Sequence, residues 1–201
     1  LFALWLARRG HLTVGEMAFM AGWAARAALS RLSEREVAEA KLIQIRWRLR
    51  VGEPRADALY DEFFRAHIVP RLRQDVLAEL ERARSGTVVL ITANLRNLLL
   101  RLGQELDIAP DRCLGPEAAR DAEGRPTLAL SGRVPMAGER ARVVQAWAAK
   151  LGLDRSEVAA YGDSRHDIPM LEWAGHPVAV HPDRTLRRTA LSRGWRVIDG
   201  V

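Results

Sequence analysis

At 201 residues, with 48% apolar and 28% charged side chains, the chain can bury a sizeable core and is not a disordered tail. No stretch reaches the roughly 18–20 uninterrupted apolar residues of a membrane span, and the single cysteine, Cys113, excludes both a disulfide framework and a cysteine-built zinc site. The net charge of +6 comes from arginines dispersed among 25 acids, with lysine only at Lys41 and Lys150; it predicts a general preference for anionic ligands, not a specific nucleic-acid stripe.

The chain opens Leu-Phe-Ala-Leu-Trp-Leu, as though inside a helix, so no targeting signal can be judged from it. Up to about Arg84 the texture is helical. Leu4 and Trp5, then Met17, Met20, Ala21, Ala24 and Leu29, recur at three- and four-residue spacing. The stretch Met17, Phe19, Met20 and Trp23 reads as helical core, the alternative being the lining of a pocket for a ligand with an apolar portion. Ser33 followed by Glu36 predicts a capping-box start for a helix through Ile43. Gly52-Glu53-Pro54 breaks the pattern; a helix is expected from Ala58 to His67, and Pro70 is expected to open another running to about Arg84. Within this half Arg46, Arg48 and Arg50 alternate with Trp47, Leu49 and Val51, the nearest approach to a basic stripe.

The second half alternates short apolar runs with amphipathic segments. Thr87 to Ile91 reads as a strand buried on both faces, and Leu95 to Leu106 as a helix. A short strand is expected around Cys113, a turn at Ala122 to Arg125, and weak alternation from Thr127 to Leu130. Gly138 to Leu151 is an amphipathic helix. Strand, helix, strand, helix, strand then follow at Val158–Tyr161, Ile168–Trp173, Pro177–Val180, Asp183–Arg193 and Trp195–Ile198. Such alternation means βα units on a parallel sheet. The expected fold class is therefore α/β with a parallel sheet, following a helical half.

In such sheets ligands sit beyond the carboxyl ends of the strands. Two polar clusters fall there: Thr92-Ala93-Asn94, and Gly162-Asp163-Ser164-Arg165-His166-Asp167. Asp163 and Asp167, four apart at a strand-to-helix turn, can face one point, and hard oxygen ligands there suit Mg²⁺. The plainer alternative is that Asp163 caps the helix and Asp167 is a first-turn acid. Thr92 puts a hydroxyl, followed by backbone amides, where a phosphoryl oxygen could sit; Asn94 is the better cap candidate for the next helix.

The run from Ala160 to Glu172, then Gly175-His176-Pro177-Val178-Ala179-Val180, resembles the fourth motif of the haloacid-dehalogenase (HAD) superfamily phosphatases, and within it the subfamily IB, phosphoserine-phosphatase-like hydrolases. Thr92 is similar to the second motif's hydroxyl residue. Pro182-Asp183-Arg184, Leu186-Arg187-Arg188 and Gly194-Trp195 are also similar to that group. The likeness is strong over residues 84–201 and compatible over 1–83, where the family inserts a helical cap. It implies a three-layer, Rossmann-like α/β core with an inserted helical cap, divided as residues 1–78 and 79–201, and a cytoplasmic, Mg²⁺-dependent phosphatase acting on a small phosphorylated substrate through an aspartyl-phosphate. Asp163 would ligate Mg²⁺, Asp167 would hold it directly or through water, and Thr92, Ala93 and Asn94 would bind the phosphoryl group. Arg140, with Arg142 second, would stand for the family's third-motif lysine. His181 stands before Pro182 where relatives often carry Asn.

The first motif, Asp-x-Asp-x-Thr, which supplies the nucleophile, does not occur in these 201 residues; Asp57, Asp61 and Asp75 fall in helical context. The resemblance places it, with the first strand, upstream of Leu1, so the chain by itself is expected to be catalytically inactive. The alternative is a phosphate-binding or regulatory module without turnover. A serine hydrolase is disfavoured because no Gly-x-Ser-x-Gly elbow is present, and P-loop or dinucleotide-binding folds because their glycine fingerprints are missing. His11, His67 and His176 are isolated.

Overall fold

The computed structural model describes residues 2–28, 34–131, 134–135 and 138–199. Two compact units emerge: Leu1–Leu72 with Val88–Val134, and Arg73–Thr87 with Pro135–Val201.

In the first unit the helical texture becomes α1 (Phe2–Arg8), α2 (Val14–Ala28), α3 (Glu34–Val51) and α4 (Glu53–Phe63). Gly52 stands between α3 and α4 at φ 87°, a left-handed turn that suits glycine, and Pro54 occupies the first turn of α4, where no amide donor is needed. An aromatic core joins these helices: Phe2 stacks on Tyr60 at 4.5 Å between centroids, and Trp47 meets Tyr60 edge-on at 5.8 Å. Trp47, Tyr60 and Phe63 are almost completely buried.

The chain after α4 departs from expectation. The helix starts at Glu53, not Ala58, then widens into a π-helical turn at Phe64–Ile68 and tightens into a 3₁₀ turn at Val69–Arg71. Pro70 sits inside that turn and does not open the next helix; lacking an N–H, it interrupts the helical ladder there. The expected cap at Ser33 lies outside the described residues. Of the apolar stretch read as core, Met17 is exposed and Phe19, Met20 and Trp23 are half-buried.

The strand expected over Thr87–Ile91 shortens to β1 (Leu90–Ile91), parallel to β2 (Cys113–Leu114), with α6 (Arg96–Glu105) between them. Gly103 on α6 is required by this packing, since a Cβ there would come within 3.0 Å of the Ile108 carbonyl and closer still to Cys113 Sγ. Cys113 is fully buried as a small hydrophobe, and burial raises its thiol pKa. An antiparallel hairpin follows, β3 (Glu117–Arg120) with β4 (Pro126–Ser131), its turn held by Asp121 Oδ1 accepting from the amides of Glu123 and Arg125. The sequence shows no β3 because Glu-Ala-Ala-Arg carries no β-branched or aromatic residue.

The second unit holds α5 (Gln74–Ala83), α7 (Gly138–Leu151) and a parallel sheet ordered β5 (Ala159–Gly162), β6 (His176–Val180), β7 (Arg196–Ile198). Its crossovers are α8 (Ile168–Trp173) and α9 (Arg184–Ser192). Leu171, Ala179, Leu186 and Ala190 are completely buried in its core. Helix α5 is clamped to β7 by Glu79, which accepts hydrogen bonds from Arg196 Nη1 at 2.7 Å and Nη2 at 2.6 Å and from Arg82. Among the described residues no helix is long and apolar enough to cross a membrane.

Candidate functional site

The second unit gathers polar side chains at the carboxyl ends of β5 and β6. Asp167, 2% exposed, closes the turn after β5. Its Oδ2 accepts from the amides of Asp163 (3.1 Å) and Ser164 (3.0 Å) and from the Ser164 hydroxyl (3.0 Å). Its Oδ1 accepts from Arg140 Nη1, delivered by the first turn of α7. Ser164, not Asp163, therefore caps the short 3₁₀ turn at Arg165–Asp167. Gly162 makes the turn possible: a Cβ there would lie 2.8 Å from Asp167 Cγ.

The carboxylate of Asp163 is exposed and accepts no hydrogen bond from the described residues. Burial pulls the Arg140 guanidinium below its usual range, and the negative charge of Asp163 opposes that pull. Arg140 Nε is buried with no hydrogen-bond partner. Arg142 is different: it is exposed and paired with Glu139 at 3.1 Å.

A second tie runs from the β6–α9 connection. Asp183 caps α9 by accepting from Leu186 N at 2.8 Å, accepts from Arg165 N at 2.8 Å, and donates its own N–H to the Asp163 carbonyl at 2.8 Å. Burial would raise the Asp183 pKa, but these amides outweigh it and lower it. His181, at φ 43°, hydrogen-bonds through Nε2 to Asp75 Oδ2 of α5 at 2.7 Å. The sequence marked Asp183 as a helix start but not as a brace of the acidic turn, a role visible only once β5 and β6 are neighbours.

Thr92, Ala93 and Asn94 belong to the first unit, beyond the end of β1. The Thr92 amide extends the ladder to the Leu114 carbonyl at 2.9 Å, and its hydroxyl accepts from Asn94 N at 3.1 Å. Asn94 is not the helix cap: α6 begins after Leu95 without a side-chain cap, and Asn94 Oδ1 instead accepts from Lys41 Nζ at 2.7 Å. Gly115 gives this loop room, because a Cβ there would fall 2.8 Å from Thr92 Cγ2. Of the arginines alternating on α3, Arg48 is spent on Glu53 and Asp57, Arg50 on Glu16, and Trp47 between them is buried.

Among the described residues no group of three or more His, Cys, Asp or Glu side chains could hold a metal ion. Mg²⁺ keeps several waters and is commonly bound by only one or two carboxylates plus phosphate oxygens. The exposed Asp163 carboxylate, which accepts no hydrogen bond from the described residues, fits that demand. Asp167 is already occupied by four donors and fixes the loop that carries Asp163. The orphaned Arg140 Nε is a buried donor suited to an anion's oxygen.

Comparison with known proteins bears on the family of the chain. The model for haloacid dehalogenase-like hydrolases matches residues 1–172. The chain is 52% identical over 60 residues to an inhibition of morphological differentiation protein of Streptomyces azureus, covering 30% of this chain and 22% of that one. It is 32% identical over 143 residues to phosphoserine phosphatase SerB1 of Mycobacterium tuberculosis, covering 71% of this chain and 45% of the relative. The matches thus span less than half the length of these relatives. A solved structure of a protein of unknown function from Bordetella pertussis Tohama I superposes with a TM-score of 0.82 at 23% identity, over 98% of this chain and 91% of that one. With its parallel α/β sheets and its phosphoserine-phosphatase-like relatives, the chain belongs to the haloacid dehalogenase-like hydrolase family.

Proposed function

We propose that this chain provides the cap and the second to fourth motifs of a cytoplasmic, Mg²⁺-dependent phosphomonoester phosphatase of the subfamily IB, phosphoserine-phosphatase-like type. Residues 1–78 act as the helical cap and 79–201 as the α/β core. The observation that carries this reading is the turn after β5: Asp167 is consumed by two loop amides, the Ser164 hydroxyl and Arg140, while the exposed Asp163 carboxylate accepts no hydrogen bond from the described residues.

Asp163 would hold Mg²⁺, with Asp167 supporting it through the loop or through water; the bound ion supplies charge screening for the phosphoryl group. Arg140 takes the third-motif place: its Nη1 anchors Asp167 and its unsatisfied Nε is left for a phosphoryl oxygen. Arginine there keeps the positive charge and adds a planar fork, at the cost of bulk. Arg142, turned to Glu139, is the weaker candidate. Thr92 and the following amides of Ala93 and Asn94 would bind a phosphoryl oxygen, as the family's second motif does. The aspartyl-phosphate route also needs the family's Asp-x-Asp-x-Thr, whose first carboxylate attacks phosphorus and whose second gives and takes the proton. A small phosphorylated substrate is the expected class, and the mycobacterial relative's name points to phosphoserine.

The test extends the chain upstream to include Asp-x-Asp-x-Thr and measures Mg²⁺-dependent phosphate release from a generic monoester. Turnover should appear in the extended chain and vanish in Asp163→Asn. Activity persisting in that variant refutes the metal assignment, and an upstream sequence without the motif favours the binding module.

A further inference from the structure

Lys41 is the buried charge that the reading above leaves unused. It sits mid-way along α3 with 4% of its surface exposed, deeper than any other cation described in the first unit. No carboxylate of the described residues pairs with it; among the described residues its one hydrogen bond is the 2.7 Å contact to the neutral Asn94 Oδ1. An ammonium has three donors, so two of its protons have no acceptor among the described residues. Isolated buried charge is expensive, and proteins ordinarily pair it or let it neutralise. Burial does lower the Lys41 pKa, from 10.5 to about 8, yet that leaves the side chain charged at neutral pH.

Its position gives this cost a purpose. Asn94, the exposed residue covering Nζ, is the third member of the polar loop beyond β1, and its amide is tied to the Thr92 hydroxyl at 3.1 Å. A hydroxyl, the Ala93 backbone between its neighbours and an ammonium with spare protons therefore meet at one short loop, which Gly115 approaches too closely for a side chain. We propose that Lys41 binds an oxyanion of the ligand at the Thr92–Asn94 loop, giving that loop a lysine-based anion contact of its own. The inference rests on the phosphatase reading for the source of the anion, either a phosphoryl oxygen or a carboxylate of the substrate.

The chain has only two lysines, so NMR of lysine labelled at Nζ and Cε follows Lys41 and Lys150 in the wild-type protein, with Lys41→Met giving the assignment. Inorganic phosphate and, separately, acetate are added while pH is varied. An anion that prefers the charged lysine raises its titration midpoint, by about one unit for a tenfold preference. The expected result is a midpoint for Lys41 that rises by at least that much with phosphate while Lys150 stays put. A response to phosphate alone identifies a phosphoryl oxygen, and an equal response to acetate a carboxylate. A Lys41 midpoint that neither anion moves overturns the proposal. Monoester turnover with an unmoved Lys41 sinks the lysine's role alone, whereas a moved Lys41 without turnover in the extended chain sinks the phosphatase reading alone.

Discussion

Replacing Asp167 by Asn tests the architecture of the acidic turn most directly. The two side chains have the same shape, so packing is kept while a charge is removed. Asp167 is 2% exposed and its two oxygens serve four donors, one of them a guanidinium that is itself largely buried. The new amide group can face the loop amides or Arg140, and either way it sets donor against donor. Removing one partner of a buried charge pair costs about 3–5 kcal/mol because the other charge is stranded. Lost charge-assisted bonds of about 1.5–3 kcal/mol each fall within the same total. Against a domain stability of about 5–15 kcal/mol, Asp167→Asn should remove about 3–4 kcal/mol. Equilibrium urea unfolding, extrapolated to water, reads this as a lower midpoint with an unchanged slope. Arg140→Gln in the same background should restore part of the loss, so the double variant costs less than the two singles added. A loss below about 1 kcal/mol for Asp167→Asn would show that the turn does not depend on this carboxylate.

Three other variants probe separate parts of the molecule. Gly162→Ala drives a Cβ to within 2.8 Å of Asp167 Cγ and should cost about 1–3 kcal/mol by the same unfolding assay. Lys41 has a folded pKa near 8 against 10.5 unfolded, so the native state binds fewer protons between those values and stability should rise with pH across that window, by up to about 3 kcal/mol; Lys41→Met should flatten the rise and be more stable at pH 7. A flat wild-type profile between pH 8 and 10.5 would contradict it. Glu79, held below its ordinary value of 4.5 chiefly by its hydrogen bonds to Arg196, contributes stability that is present above that value and lost as pH falls below it; Glu79→Gln should reduce the acid-side slope of a thermal unfolding series.

Much of the core was legible because its signals are local. Gly138–Leu151 coincides with the observed α7, and the runs ending at Tyr161, Val180 and Ile198 form β5, β6 and β7 within a residue or two. Buried parallel strands announce themselves as continuous apolar runs bounded by Gly, Asp or Pro. The failures share a cause in tertiary context. Thr87–Val89 has strand composition, yet only Leu90 and Ile91 find a partner in the two-residue β2. Asn94 has the chemistry of a helix cap, but a lysine 53 positions away claims its oxygen. That same lysine, in a helix read from its capping box, carried no sequence mark of burial. The apolar stretch of α2 followed helical periodicity correctly and predicted burial wrongly, since amphipathicity says which face could be covered and not what covers it.

The bracing of the turn after β5 also bears on how relatives of this protein could diverge. Asp183 and Asp167 grip residues 163–165 almost wholly through main-chain atoms, the exception being the Ser164 hydroxyl. Arg165 and His166 point their side chains outward. New identities at these two sites can therefore be tried by mutation without loosening Asp163, which leaves the rim open to drift while the acid it surrounds keeps its station.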